Sequence, residues 1–379
     1  MYLVDQKSFV SANVDRHRIR LAKDLRRLSI KEFSNLLECS DSKAKKILND
    51  DAHDISLTDL ENISIKLNVP ISFFYNHDSL LPVDRGQIFY CLMARIKAEY
   101  RTSNEAYSLL AKKINYYFES KLSLPKFTMP EIEVFEYDRS DIVQNVANNL
   151  RASWGLGIQP IPNIVALMEL KGIKVFRLPF NNKEVDALSF YDEQTGTPFV
   201  FLSDGKSNER QRFDAAHELG HIILHKDDRA EKILNRTIEA EADNFASEFL
   251  MPRKSFESLR PKHLSIQSMI EYKHVWRTSL KAVNYRCHKL KLISDWIYKS
   301  NSININSLGY HLNEPNPTYQ DQSLIFQKIL KVLSSEPNFS SEKMLEQIGI
   351  SRDDFNLLTF DALDKLEPYK PKSKLYLVE

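Results

Sequence analysis

The chain has 379 residues, of which 42% are hydrophobic and 27% are charged, as in an ordinary globular protein. Its 52 Lys and Arg residues nearly balance 51 Asp and Glu residues, so a basic surface that binds nucleic acid would have to be local. Three cysteines without a CxxC pair do not indicate a disulfide framework or a thiolate metal site. No apolar run approaches the roughly 18 residues of a membrane span. We therefore expect a cytoplasmic protein with no membrane partner.

Four short helices are predicted near the N-terminus. Periodic apolar residues predict a first helix from about Asp15. Ser29 and Glu32 have the spacing of a capping box at the start of a second helix. A third helix covers the segment SKAKKILN, and a fourth ends before Pro70. Short helices joined by turns of three to four residues are the outline of a helix-turn-helix bundle.

The rest of the chain predicts a helix-rich α+β protein with a small sheet. Three apolar runs rich in β-formers are Ile173–Leu178, Ala187–Tyr191 and Phe199–Leu202, and a turn between the last two predicts a hairpin. Long helices follow, from about Ser207 to His225 and from about Thr237 to Leu250. The predicted domains are an N-terminal bundle (1–78), a helical linker region (79–137), an α+β domain with a helical tail (138–315) and a C-terminal helical region (316–379).

The sharpest motif is His217-Glu218-Leu219-Gly220-His221, inside a predicted amphipathic helix. Two imidazoles four residues apart lie on one helical face, close enough to bind a single ion. Glu218 is then placed to hold and deprotonate a metal-bound water, which is the general-base role in zinc hydrolases. Zn²⁺ suits such ligands and keeps one position open for water. The alternative is a solvated helical face that matches the motif by chance.

Carboxylates on the next predicted helix supply candidates for a third ligand. Glu239 and Asp243 are four residues apart and share a face, whereas Glu241 is rotated by about 200° from Glu239. An antiparallel helix can therefore offer Glu239 as the ligand and Asp243 as a partner for the free nitrogen of a ligating histidine. Glu241 remains the competing ligand. A further alternative is that these acids are simply favoured in the first turn by the helix dipole.

Residues 138–315 resemble the ImmA/IrrE family of metallopeptidases. The resemblance rests on RQRFDAAHELGHIILH from Arg210 to His225 and EAEADNFASEFLMP from Glu239 to Pro252. It implies a zincin-like domain in which a zinc ion is bound by His217, His221 and Glu239. Glu218 would be the general base.

Other polar residues of this region are candidates for supporting roles in the site. His225 follows His221 by four residues but drifts about 80° around the helix from His217, so we assign it to packing or to supporting a ligand. The candidates for a group that stabilises an oxyanion are Tyr285, Tyr310 and His311.

Residues 15–74 resemble the helix-turn-helix domain of Xre/Cro-type phage repressors. From Asp15 to Asp50 there are ten Lys or Arg and six Asp or Glu residues. The third helix carries the candidate DNA contacts Ser42, Lys43, Lys45 and Lys46.

The sequence departs from the repressor pattern at several places in this domain. Glu38 replaces the usual turn glycine, and Asp41 would repel phosphate. Protein contact or dimerisation is therefore the alternative use of the bundle.

Together these features predict a DNA-associated, zinc-dependent endopeptidase that cleaves a regulatory protein such as a repressor, in a stress response or in control of a mobile element. The expected partners are DNA and that protein substrate, and a homodimer is compatible with both. The first alternative is a transcription regulator whose peptidase-like domain acts as a sensor or a partner-binding module. The second is a component of a toxin–antitoxin or phage-defence pair.

Overall fold

The computed structural model describes residues 14–49, 55–75, 98–131, 139–178, 186–192, 194–225, 235–310 and 312–366. In this part of the chain, seventeen α-helices accompany one three-stranded sheet, as the predicted helix-rich α+β class requires. The described residues form two compact units. One contains those of 1–83, 96–123 and 324–379, and the other contains those of 124–323. Among the described helices, none is both long and apolar enough to cross a membrane.

The first unit begins with four short helices in the predicted places. They are α1 (Arg16–Leu25), α2 (Ile30–Leu36), α3 (Asp41–Leu48) and α4 (Leu57–Leu67), and a short 3-10 helix follows at Ile71–Phe74. A side-chain oxygen caps each α-helix, and Ser29 with Glu32 forms the predicted capping box. Ile19, Phe33 and Leu60 are completely buried in these helices. The helix-turn-helix identity of this bundle stays a prediction.

Helices from distant parts of the chain complete this unit. They are α5 (Ala98–Lys121), α14 (Ile325–Leu333), α15 (Ser341–Ile348), α16 (Arg352–Leu358) and α17 (Ala362–Leu366). The guanidinium of Arg26 at the end of α1 donates to both carboxylate oxygens of Asp354, each at 2.7 Å. The Phe118 ring of α5 lies 6.3 Å from the rings of Phe326 and Phe355. The C-terminal helices therefore pack with the N-terminal ones, and the unit joins parts of three predicted domains.

The second unit is built around the sheet. Its strands are β1 (Lys174–Leu178), β2 (Ala187–Tyr191) and β3 (Pro198–Ser203), in the order β1-β3-β2. The antiparallel pairing of β2 with β3 confirms the predicted hairpin, and β1 pairs with β3 in parallel. Nearly all strand residues are buried because helices cover the sheet.

Eight helices accompany the strands in the described part of this unit. They are α6 (Arg139–Ser153), α7 (Ile164–Leu170), α8 (Asn208–Leu224), α9 (Asn235–Leu250), α10 (Arg253–Ser258), α11 (Ile266–Trp276), α12 (Leu280–Lys289) and α13 (Asp295–Ser307). Helix α8 packs on β2 and β3 and also on α9. The two predicted metal-binding segments are thereby adjacent in space.

Candidate metal centre

Buried charges anchor the first half of α8. Ser207 caps the helix, and the Glu209 carboxylate accepts from Lys273 Nζ at 2.9 Å and from the Thr318 backbone N–H at 2.8 Å. Burial alone would raise the pKa of Glu209, but these hydrogen bonds lower it. One turn later, buried Arg212 pairs with Asp321. Because these bonds fix the start of α8, they also fix the direction in which its later side chains point.

The structure brings three predicted ligands together between α8 and α9. His217 Nε2 and His221 Nε2 are 3.0 Å apart. The Glu239 carboxylate reaches across from α9, with one oxygen 3.3 Å from His217 Nε2 and the other 3.6 Å from His221 Nε2. All three donor atoms lie within 4.8 Å of one another. Among the described residues this is the group of His, Cys, Asp or Glu side chains that could hold a metal ion.

The spacing of these donor atoms suits zinc. Donors about 2.05 Å from a tetrahedral zinc ion lie about 3.3 Å from one another, which is close to the three distances in this cluster. Two imidazoles and one carboxylate leave the fourth tetrahedral position open, as in zinc sites that carry out hydrolysis. The residues present therefore fit the ion that the sequence predicts.

The charges around the two imidazoles also favour a cation. Burial alone would lower the pKa of His217, but the Asp243 and Glu239 carboxylates raise it to about 10. Burial, followed by the neighbouring His217 and His225, lowers the pKa of His221 well below its ordinary value. The carboxylates thus favour one positive charge between the rings, and a metal ion bound to both Nε2 atoms would provide it.

Glu218 lies beside the cluster on the same helix and is buried against the sheet. Ser189 on β2 donates its hydroxyl to Glu218 Oε2 at 2.5 Å. Burial raises the pKa of Glu218 to about 7, although the charge of His217 and the Ser189 hydrogen bond oppose the rise. A carboxyl group with a pKa near neutrality can exchange protons at the pH of a cell, as a general base must.

The competing ligand Glu241 and the predicted supporting residue Asp243, both on α9, have different partners. Asp243 Oδ1 lies 2.9 Å from His217 Nδ1, the ring nitrogen opposite the cluster, which is the supporting position predicted for it. Glu241 Oε2 lies 3.1 Å from His225 Nε2 instead of joining the cluster. This geometry favours Glu239 over Glu241 as the third ligand.

Ser189, the hydrogen-bond partner of Glu218, is not among the site residues predicted from the sequence. Its strand reads ALSFY, in which a single serine among apolar residues carries no signature of a base partner. The only available signal was a polar residue in an otherwise buried strand, where an unpaired hydroxyl would be costly.

The oxyanion candidates have no contact with this cluster among the interactions described. Tyr285 is 39% exposed on α12, and its ring contacts that of Tyr298. Tyr310 follows α13, and His311 lies outside the described residues. An oxyanion role for any of these residues remains a prediction.

Comparison with protein families supports the interpretation of this unit. Residues 168–288 match the model of the IrrE N-terminal-like domain, a peptidase family (M78). The matched segment includes the whole sheet and both helices of the cluster. This segment is therefore similar to a metallopeptidase-like domain of the ImmA/IrrE type. A search of curated proteins found no match.

The candidate DNA contacts lie in the other compact unit. Ser42, Lys43, Lys45 and Lys46 are all exposed on α3. Lys43 Nζ donates to Asp59 Oδ1 at 2.8 Å, so Ser42, Lys45 and Lys46 are the more accessible of the candidate contacts.

Proposed function

We propose that this protein is a zinc-dependent endopeptidase that cleaves a regulatory protein such as a repressor. The observation that carries the proposal is the convergence of His217, His221 and Glu239 beside a buried Glu218. The match to a metallopeptidase-like domain supports it. The choice of a regulator as substrate follows from the N-terminal bundle that resembles phage repressors.

Each residue in or beside the cluster has a separate role in the proposed reaction. A zinc ion held by the two imidazoles and Glu239 would polarise a scissile carbonyl and acidify a bound water. Glu218 would accept a proton from the attacking water and later give it to the leaving amine. Ser189 holds the carboxylate of Glu218 in place, and Asp243 orients the ring of His217.

The proposal is tested by metal content and by one conservative variant. The purified chain should hold one zinc ion that is lost in His221→Ala. Glu218→Gln should keep the zinc but slow cleavage of a partner protein by at least about 100-fold, because general-base catalysis contributes about that much. A chelator should stop cleavage by the wild type. Zinc-dependent cleavage that persists in Glu218→Gln would contradict the proposed mechanism.

We further propose that the N-terminal bundle places the enzyme on DNA, near a DNA-bound substrate. The exposed Ser42, Lys45 and Lys46 of α3 support this proposal. The carboxylate of Asp41 accepts a hydrogen bond from the Ser34 hydroxyl on α2, which fixes its position but does not neutralise the charge that would repel phosphate. Tethering of this kind raises the effective concentration of a substrate bound at the same locus.

A gel-shift titration tests DNA association. Lys45→Ala with Lys46→Ala should weaken binding and reduce the slope of log K against log salt by about two, since each phosphate contact contributes about 0.9. The control is Lys66→Ala on α4, where the lysine already pairs with Glu38 at 2.7 Å. Binding with no salt dependence, or an unchanged slope in the double variant, would contradict the DNA proposal.

A transcription regulator with a non-catalytic metal domain is the second candidate function, and the exposed basic residues of α3 favour it. The two functions differ in what they require. If Glu218→Gln leaves the biological output unchanged while alanine substitution of Lys43, Lys45 and Lys46 abolishes it, the regulator is correct. If both variants abolish the output, the endopeptidase is correct.

A further inference from the structure

His225 links the metal cluster to a buried carboxylate on α9. His221 Nδ1 lies 3.1 Å from His225 Nδ1, and His225 Nε2 lies 3.1 Å from Glu241 Oε2. The side chain of His225 is 1% exposed and that of Glu241 is 12% exposed. The ring nitrogen of His221 that faces this pair is the one opposite the cluster. His225 and Glu241 therefore form a buried path behind one of the two imidazoles.

The positions of the protons on His221 and His225 follow from the requirement that His221 bind a metal through Nε2. An imidazole that binds a metal through Nε2 carries its proton on Nδ1. His221 Nδ1–H then donates, so the facing Nδ1 of His225 must accept with its lone pair. A neutral His225 of that form carries its proton on Nε2, where the Glu241 carboxylate accepts it. Each hydrogen bond then has one donor and one acceptor.

If the hydrogen bond between His225 and His221 ran in the opposite direction, His221 could not bind a metal. If His225 donated from Nδ1, the proton of His221 would be on Nε2, which faces His217 and Glu239. That nitrogen would then have no lone pair to offer. The carboxylate of Glu241 favours the direction in which His221 donates to His225, because a carboxylate can only accept and so takes the Nε2–H of His225.

We propose that His225 and Glu241 are positioning residues, which hold His221 in the Nδ1–H tautomer with its Nε2 lone pair turned towards the site. The inference rests on the proposed function, since it takes His221 as a metal ligand. The backbone supports it, because the His225 N–H donates to the His221 carbonyl at 3.0 Å and so fixes the spacing of the two residues at the end of α8.

The two imidazoles of the cluster are supported in different ways. His217 uses Asp243, whose side chain is 59% exposed, whereas His221 uses the buried His225–Glu241 pair. A buried hydrogen-bond pair is shielded from water that could replace it. Removing such a partner of a metal ligand typically weakens metal binding by about 10- to 100-fold. We expect a loss of this size when either member of the buried pair is removed.

The test measures zinc affinity of the full chain by competition with a chromogenic chelator. His225→Leu and Glu241→Leu should each weaken binding by about 10- to 100-fold. Glu241→Gln should lose less, because its amide oxygen can still accept from His225 Nε2–H. His288→Leu is the matched control, since His288 also pairs with a carboxylate, that of Asp295 at 2.7 Å on α13, but lies on α12. This control should bind zinc like the wild type.

A second measurement separates positioning from folding. Thermal unfolding of the metal-free variants should match that of the metal-free wild type. If His225→Leu does not fold, the comparison of Glu241→Gln with Glu241→Leu still tests the inference. Wild-type zinc affinity in both leucine variants, or equal losses in the two Glu241 variants, would overturn the inference. A wild type that binds no zinc would instead overturn the proposed function.

Discussion

Ser189 is the side chain through which the sheet adjusts the candidate base. Its hydrogen bond stabilises the charged form of Glu218 and so opposes burial, which still raises the pKa of Glu218 to about 7. The base works only when deprotonated, so activity falls as the pH falls through this pKa. A hydrogen bond to a charged group contributes about 1.5 kcal/mol, which corresponds to about one pH unit. Ser189→Ala should therefore move the acidic limb of the kcat/KM profile upward by about one pH unit.

The measurement is the pH dependence of cleavage of the substrate that the wild type accepts. Ser189→Thr is the control because it keeps a hydroxyl, and it should leave the limb near its wild-type position. An acidic limb that stays in place in Ser189→Ala would show that the hydroxyl does not act on the base.

At this scale the sequence predicts the residues that are close along one helix. The spacing of His217 and His221 alone places two imidazoles and Glu218 on α8. The distinction between Glu239 and Glu241 depends on how α9 is rotated against α8, which the spacing within α9 leaves open. Ser189 comes from a strand that is distant in the sequence, so periodicity could not associate it with Glu218.

Gly220 sets the distance between the two helices that hold the cluster. A Cβ at this position would lie 3.1 Å from Phe245 Cδ1 and 3.2 Å from Ala242 Cα on α9. The second contact is with backbone, which cannot turn aside. Gly220→Val should push α9, and with it Glu239, away from α8. We expect a loss of about 1–3 kcal/mol in the free energy of unfolding, the usual cost of overpacking, together with weaker zinc binding.

Denaturant unfolding and the chelator competition measure these two effects. Ala152→Val on α6 is the matched control, because Ala152 is exposed and the change also adds a β-branched residue to a helix. A stable Gly220→Val variant with wild-type zinc affinity would show that the helices can separate at no cost.

The parts of the sheet that could be predicted are those marked by a pattern of neighbouring residues in the sequence. The hairpin of β2 and β3 follows from two apolar runs around the turn at residues 192–196. The parallel pairing of β1 with β3 has no such local signal, since the partners are distant in the chain.

The compact units of the whole chain depend on contacts between residues that are distant in the sequence. Boundaries at residues 78 and 315 follow changes of pattern along the sequence, whereas the first compact unit collects helices from both ends. The ion pair between Arg26 and Asp354 spans 328 positions. A second bond, from Asn68 Nδ2 to Asp353 at 2.8 Å, joins the same two regions. Contacts at such separation leave no periodic signal in the sequence.

This division predicts how fragments of the chain should behave. Residues 124–323 are continuous and contain the sheet, the cluster and the buried pair of Lys273 with Glu209. This fragment should therefore unfold cooperatively and hold one zinc ion. Residues 1–78 alone lack α5 and the C-terminal helices, so the fragment should melt at a lower temperature than the same helices in the full chain. Circular dichroism melts with metal analysis measure both outcomes. A fragment 124–323 without cooperative unfolding would show that its core depends on the other unit.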